Sequence, residues 1–299
     1  MLLQKRLYIK GGVVYGVSID KSKVSYKRAE SLIECISMQG SKYVECTIEK
    51  VVLDVYTDLT NNRKVLFSGT ACQVAALYSF LRNKYPHANL NNLLTIDIVC
   101  HGVPSAKIYS MYIKYIENKY SGNISKFDFR DKCFGWDTHV ESFWIDGKKY
   151  TSDLYQGLFY SNVFLRPSCG NCKFCNYARM ADITIADFVG SERVNNGLND
   201  NKGISMIMLN NSLAQEWFSK VSDHLEIFRL EKEQTTQPNL QHPSMIPKDR
   251  KMKWDFLYNN GFETYLKKYG RNDILHRLKW LVVDYPALKR KSKKLNSEK

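Results

Sequence analysis

The 299-residue sequence contains no apolar run long enough to cross a bilayer as a helix, which removes the helical membrane-spanning class from consideration. Its first residues, Met1-Leu2-Leu3-Gln4-Lys5-Arg6-Leu7, hold too short an apolar stretch for a secretory signal. There is no internal repeat, and apart from a basic tail there is no low-complexity segment. No nucleic-acid recognition motif accompanies the positive charge, so no specific nucleic-acid role is expected. The expectation is a cytoplasmic protein whose eight cysteines are reduced thiols and metal ligands, not disulfides.

Two further absences concern those cysteines. A ferredoxin-type run, C-x₂-C-x₂-C-x₃-C-P, needs cysteine at position 179 and proline at 180, where the chain has Arg179 and Met180. A paired C-x₂-C…C-x₂-C zinc-ribbon pattern is also missing. What is present is Cys169-Gly170-Asn171-Cys172-Lys173-Phe174-Cys175, three thiols at C-x₂-C-x₂-C spacing. Two intervening residues let one turn aim both sulfurs at one metal. Three thiolates are one short of a full shell, so the fourth ligand has to come from elsewhere in the chain. An iron–sulfur cluster completed by a distant cysteine and a zinc site completed by His101 both satisfy this spacing.

With 44% hydrophobic and 13% aromatic residues, the chain can bury a large core as one large or two ordinary domains. The formal charge of +14 suits an anionic surface or an acidic partner. Much of the excess lies towards the C-terminus, ending Lys289-Arg290-Lys291-Ser292-Lys293-Lys294, a basic tail that is a candidate for peripheral membrane contact.

Along the chain, Tyr8-Ile9-Lys10 and Val13-Val14-Tyr15-Gly16-Val17 read as strand segments flanking a Gly11-Gly12 turn. A helix begins at Ser31-Leu32-Ile33, and Gly40-Ser41-Lys42-Tyr43-Val44 reads as a loop entering a strand, with Lys42 able to meet an anion. Lys64-Val65-Leu66-Phe67 is a short buried strand, and Ser68-Gly69-Thr70 turns the chain into a helix whose apolar residues Val74, Leu77, Tyr78 and Leu81 recur at helical spacing. Leu93 to Val99 is a second apolar strand. Strand, helix and strand of these lengths make a βαβ unit with parallel strands.

Parallel pairing brings both strand ends to one edge of the sheet, where ligand sites of α/β folds form. Cys72 and Cys100, one beyond each strand, therefore share a rim and are the candidates for the fourth thiolate. Phe127 and Phe129 alternate, and Asp146-Gly147 signals a hairpin. Cys133 reads as structural. Two more strands are expected at Ala181–Phe188 and Gly203–Leu209, with a covering helix from Leu213 through Val221. The overall expectation is an α/β fold with α+β elements: a mixed sheet containing a parallel βαβ unit, and a small helical C-terminal appendage. The domain boundary falls near 240, giving units at 1–240 and 241–299.

Four stretches occur in a familiar order: Val65-Leu66-Phe67-Ser68-Gly69-Thr70-Ala71-Cys72-Gln73-Val74, Asp97-Ile98-Val99-Cys100-His101-Gly102-Val103-Pro104-Ser105, Arg166-Pro167-Ser168-Cys169-Gly170-Asn171-Cys172, and Ala181 to Phe188. With Gly11-Gly12-Val13-Val14-Tyr15-Gly16 and Gly40 to Val44 upstream, the chain resembles the beta subunit of coenzyme F-420 hydrogenase and dehydrogenase, most closely the bacterial branch found with polysaccharide-synthesis genes. The resemblance spans roughly residues 8 to 210. It implies a flavoprotein oxidoreductase passing electrons between a flavin, a 4Fe–4S cluster and a reduced cofactor or redox partner protein.

By position, the resemblance makes Cys72, Cys100, Cys169 and Cys172 the cluster ligands and leaves Cys175 spare. It places FAD near Ser41, Lys42, Ser68, Gly69, Thr70 and Gln73, with Asp187 the first residue to test for a flavin contact and His101 the next. A turn opening a helix offers N–H groups to a phosphate. Members of this branch carry a ferredoxin-like segment and a Ser-Ser-Gly-Gly stretch ahead of the matched region. Here neither precedes Gly11, and Ala71 stands in place of proline, so the expectation is a truncated product, one half of a split gene whose ferredoxin-like part is a separate partner, or a partly disabled homologue. The rival readings are a zinc-stabilised binding module without catalysis and a truncated remnant of the family.

Overall fold

Short apolar runs alternating with helix-period segments build a wound sheet. The computed structural model describes residues 11–87, 89–191, 201 and 203–297; the segment Tyr8-Ile9-Lys10 read as a strand lies outside them. The chain starts with a hairpin, β1 (Val13–Asp20) and β2 (Lys23–Ala29), followed by helices α1 (Leu32–Ile36) and α2 (Val51–Thr60). Strand β3 (Val65–Thr70), helix α3 (Ala71–Lys84) and strand β4 (Leu93–Ile98) form the expected βαβ unit, and α4 (Ala106–Tyr120) follows. Then come β5 (Ile124–Asp128), β6 (Glu141–Ile145), β7 (Lys148–Ser152) and α5 (Leu154–Tyr160). Strands β8 (Ile183–Asp187) and β9 (Ser205–Leu209) precede α6 (Ser212–Ser219). The chain finishes with α7 (Arg250–Asn260), α8 (Phe262–Tyr269), α9 (Ile274–Lys279) and α10 (Tyr285–Ser297).

The main sheet has the order β2-β1-β3-β4-β8-β9. Its centre, β1-β3-β4-β8, is parallel, and β2 and β9 pair antiparallel at the two edges. Alternation along the central strands serves two cores. Val13, Tyr15, Val65 and Phe67 face Val55 and Leu59 of α2 and Leu77 and Leu81 of α3. Val14, Leu66, Leu94 and Ile183 face Cys35, Ala214 and Trp217 on the other side. The mixed α/β expectation is met. Strands β5-β6-β7 form a separate antiparallel sheet whose hairpin turn, Asp146 at φ +50° and Gly147 at φ +73°, has the left-handed pair that the Asp-Gly signal demands. Phe127, Phe129 and Phe143 from this sheet share an aromatic core with Tyr109 and Tyr112 of α4, Tyr155 of α5, Leu257 of α7, and Tyr265 and Leu266 of α8.

Two local readings are corrected. Ser68-Gly69-Thr70 is the end of β3, not a turn, because Ser68, Gly69 and Thr70 stay in register with Ile96, Asp97 and Ile98. Gly40 to Val44 leads into irregular chain and then helix α2, not into a strand. Helix α5 after the three-stranded sheet is an addition.

Candidate functional site

Register places the thiols. Thr70 of β3 pairs with Ile98 of β4 in a parallel ladder, and Cys72 and Cys100 each stand two residues further along. Cys72 lies in the first turn of α3, its Sγ 3.1 Å from the Thr70 hydroxyl. Gln73 closes this corner: its Oε1 accepts the Thr70 N–H at 2.9 Å and the Tyr26 hydroxyl at 3.0 Å, while its Nε2 donates to the Cys46 carbonyl at 2.7 Å. Gly69 is required here, since a Cβ would come within 2.6 Å of the Tyr26 hydroxyl.

The segment with the three clustered cysteines docks on the loop that follows Cys100. Pro104 bridges Leu165, the Arg166 N–H donates to the Val103 carbonyl at 2.9 Å, and the Val103 N–H points at Cys169 Sγ at 3.5 Å. Gly170 lets Ile246 pack directly over the loop, where any side chain at 170 would collide with it. Arg179 holds the far end. Its Nη1 donates to the Phe174 carbonyl at 2.6 Å, and its Nη2 to Asp97 Oδ2 at 2.8 Å and the Ile98 carbonyl at 3.3 Å. Asp97 and Arg179 are both almost fully buried, at 1% and 2% side-chain exposure, so this ion pair fixes the cysteine loop to the end of β4.

All eight cysteines are free thiols. Cys100 is half-buried; the protein packed around it, reinforced by the charges of Cys169, Cys72 and Cys172, pushes its thiol up to about 12. Burial also raises Cys169, which senses Cys172 and Cys72. Cys175 is pushed up to about 12 by burial, by the charge of Cys172 and by a hydrogen bond with that residue. Cys100 thus senses Cys169, Cys72 and Cys172, Cys169 senses Cys172 and Cys72, and Cys175 senses Cys172 and Cys169. Mutually repelling thiols of this kind become thiolates when a cation sits among them. Among the described residues no three His, Cys, Asp or Glu side chains converge as closely as a single bound metal ion requires.

His101 is committed to the protein. Its Nε2 meets Asn162 Oδ1 at 2.7 Å and its Nδ1 meets the Ser244 hydroxyl at 3.2 Å, with its ring edge on Phe159 and Tyr160.

The remaining candidates divide. Thr70 and Gln73 spend their polar groups on each other and on Tyr26, and Ser68 donates to the Tyr15 carbonyl at 3.2 Å. The Thr70 N–H at the start of the helix is thus already taken. Lys42 is half-buried, donates to the Gln39 carbonyl at 2.8 Å, and is brought down to about 8 by burial, against the opposing charge of Asp128. Ser41 is exposed. Asp187 ends β8 and pairs at 2.5 Å with Arg130, a buried guanidinium that also donates to the Trp136 carbonyl at 2.5 Å. Around this pair stand Tyr43, Tyr160 and His139, the last two hydrogen-bonded at 2.8 Å. The loop from Met38 to Cys46 links the two groups, because Met38 flanks Gly16 beside Ser68, Tyr43 meets Arg130, and Cys46 meets Gln73. Arg130, His139 and Tyr160 were missed from sequence. Phe127 and Phe129 read as strand alternation, and nothing in the charged stretch Arg130-Asp131-Lys132 after them signalled that Arg130 reaches Asp187.

Residues 62–233 match the family model that describes the C terminus of the coenzyme F420 hydrogenase/dehydrogenase beta subunit. Among solved structures, the chain is similar to a chain of the F420-reducing NiFe hydrogenase complex from Methanosarcina barkeri, with 15% identity and a TM-score of 0.49 over 75% of this chain and 70% of that one. No curated protein matches the chain.

Proposed function

The chain belongs to the family defined by the C-terminal region of coenzyme F420 hydrogenase/dehydrogenase beta subunits, and from that premise we propose an iron–sulfur oxidoreductase with a flavin beside the cluster. The observation that carries this reading is the grouping of Cys72, Cys100, Cys169 and Cys172 from three separate segments, with Cys100 sensing the other three. In a four-iron cluster every thiolate binds a different iron, so the sulfurs stand wider apart than around one ion. Thiols that feel one another without converging on a single point suit that larger group.

Bound there, the cluster supplies one-electron transfer to or from a neighbouring redox group. The chain's own contribution is positional. The parallel register of β3 and β4 sets Cys72 and Cys100 side by side, and Arg179 anchors the loop that carries Cys169 and Cys172. The Val103 N–H, aimed at Cys169 Sγ, favours the thiolate form and tunes the electron affinity of whatever it ligates.

For the flavin, the groups still open to a ligand lie at Asp187, whose side chain is 45% exposed, and at Tyr160, which is 43% exposed. Arg130 and His139 stand behind them, with Ser41 and Lys42 on the linking loop. In this reading Ser68, Gly69, Thr70 and Gln73 shape the wall between the two cofactors and do not grip a phosphate. Arg130 holds the Asp187 carboxylate in one orientation, and the Tyr160–His139 pair offers a proton path at the same surface.

The test is iron, acid-labile sulfide, zinc and flavin content, with the visible spectrum, on protein purified without oxygen. About four irons and four sulfides per chain are expected, abolished by Cys100→Ala, with flavin absorbance in the same sample. One zinc without sulfide would leave the rival structural module as the correct reading.

A further inference from the structure

Helix α9 and the turn at Trp280–Asp284 that continues it hold their apolar side away from the protein. Ile274, Leu275, Leu278, Leu281 and Val282 fall at i, i+1, i+4, i+7 and i+8, one face of a helix. Their exposures run from 53% at Leu278 to 79% at Leu275, and Val283 adds another 53%. The half-buried stripe is the other one. His276 meets Asp153 at 3.2 Å, and Trp280 stacks on Tyr285. A helix held by a core of its own does the reverse.

Its continuation is built to carry this face on. Pro286 has no N–H for the Val282 carbonyl, and the chain widens at Trp280–Asp284 into a π-turn in which the Tyr285 N–H bonds to the Trp280 carbonyl. The helix then runs unbroken into α10, which is tied back through the Lys291–Asp137 ion pair. From Ile274 to Ser297 there are seven lysines and arginines and one acid, Asp284. Arg277, Lys279, Lys289, Arg290, Lys293 and Lys294 are exposed.

We propose that this surface, α9 with its π-turn and α10, seats the protein on an anionic lipid bilayer. The apolar face would enter the boundary between headgroups and acyl chains, and the cations would meet lipid phosphates. The two chemistries together choose this occupant. A second copy of the chain would bring like charges face to face, and a polyanion without an apolar layer would leave six large hydrophobic side chains in water. None of the cysteines or the Asp187 group takes part, so the inference stands apart from the redox reading.

Flotation of the full chain with vesicles tests it. Protein is expected to float with phosphatidylcholine vesicles containing about a third phosphatidylglycerol, and not with phosphatidylcholine alone. Replacing Lys289, Arg290 and Lys293 by Glu should weaken binding by about tenfold or more, with the difference shrinking as salt rises. Leu278→Glu with Leu281→Glu should abolish it at every salt concentration. These side chains are exposed, so circular dichroism of both variants should match wild type. Absence of flotation, or equal flotation with and without the anionic lipid, would overturn the proposal. A dimer in sedimentation velocity that Leu281→Glu dissociates would assign the face to a second copy instead.

Discussion

Asp97 and Glu141 are both buried acids, and the molecule treats them in opposite ways. Asp97, at the rim of the main sheet, has the Arg179 guanidinium against it at 2.8 Å. Burial raises its carboxyl, opposed by the Thr184 hydroxyl and the Arg179 charge. Glu141, in the aromatic core of the second sheet, has only neutral donors: the Tyr112 hydroxyl at 2.7 Å and the Tyr155 N–H at 2.9 Å, both on Oε1. Its Oε2 has no hydrogen-bond partner among the described residues, and burial pushes the carboxyl up to about 7. The cation at the rim does more than neutralise, since Arg179 also binds backbone carbonyls of the cysteine loop and of β4. A cation is supplied where orientation matters. In the core of the second sheet packing and neutral hydrogen bonds hold Glu141, and a neutral acid suffices.

The largest effect should come from breaking the rim pair. Arg179→Ala leaves the Asp97 carboxylate buried and alone, which costs about 3–5 kcal/mol, and releases the loop bearing Cys169 and Cys172. Lower unfolding midpoints and iron contents well under wild type are expected together. Arg179→Ala combined with Asp97→Asn should recover much of the stability but not the iron. Recovery of both would mean that Arg179 only neutralises Asp97 and does not position the loop.

Glu141 sharpens the contrast through pH. Its folded value near 7 lies above the ordinary glutamate value of 4.5, so the folded state holds a proton that the unfolded chain has released. Stability from this group is complete below 4.5, falls as pH rises, and is gone once pH has passed 7. The total is about 3 kcal/mol. Glu141→Gln removes that slope. Denaturant titrations between about pH 5 and pH 8 should show wild type losing stability relative to the variant as pH rises. Parallel curves would show that Glu141 is ionised throughout, and the neutral-core account would fail.

Much of the main sheet was legible because its strands carry their own punctuation. Val65 to Phe67 and Leu93 to Ile98 are apolar runs around a helix of clear period, which fixes parallel pairing and the shared edge for Cys72 and Cys100. Helix α2 was overlooked although Val51, Val52, Val55 and Leu59 form one face. It opens at Lys50 without a side-chain cap and lies in a stretch with neither glycine nor proline to mark its limits. The turn read at Ser68-Gly69-Thr70 failed because a glycine at a strand end makes room for a neighbour, here the Tyr26 hydroxyl, as readily as it bends a chain. The Arg130–Asp187 pair joins two sheets across 57 residues, and no local pattern encodes such a partner. Beyond these local misreadings, long-range polar pairing is what the sequence concealed.

The smallest expected effect tells most about ligand choice. Cys172 and Cys175 are three residues apart and Cys175 senses the charge of Cys172, so proximity alone offers either to a cluster. Arg179 grips the Phe174 carbonyl, next to Cys175, and so holds that end of the loop against β4. Cys172, unlike Cys175, is among the groups that Cys100 senses. With Cys172 as ligand, Cys175 stays protonated and can give its S–H to the ligand sulfur, an interaction that raises a cluster's reduction potential. Cys175→Ala should keep the full iron content and lower the potential slightly, whereas Cys172→Ala should lose the cluster. Electron paramagnetic resonance of the reduced variants, with redox titration, separates these outcomes. Iron lost in Cys175→Ala and kept in Cys172→Ala would exchange the two roles while leaving Cys72, Cys100 and Cys169 as they stand.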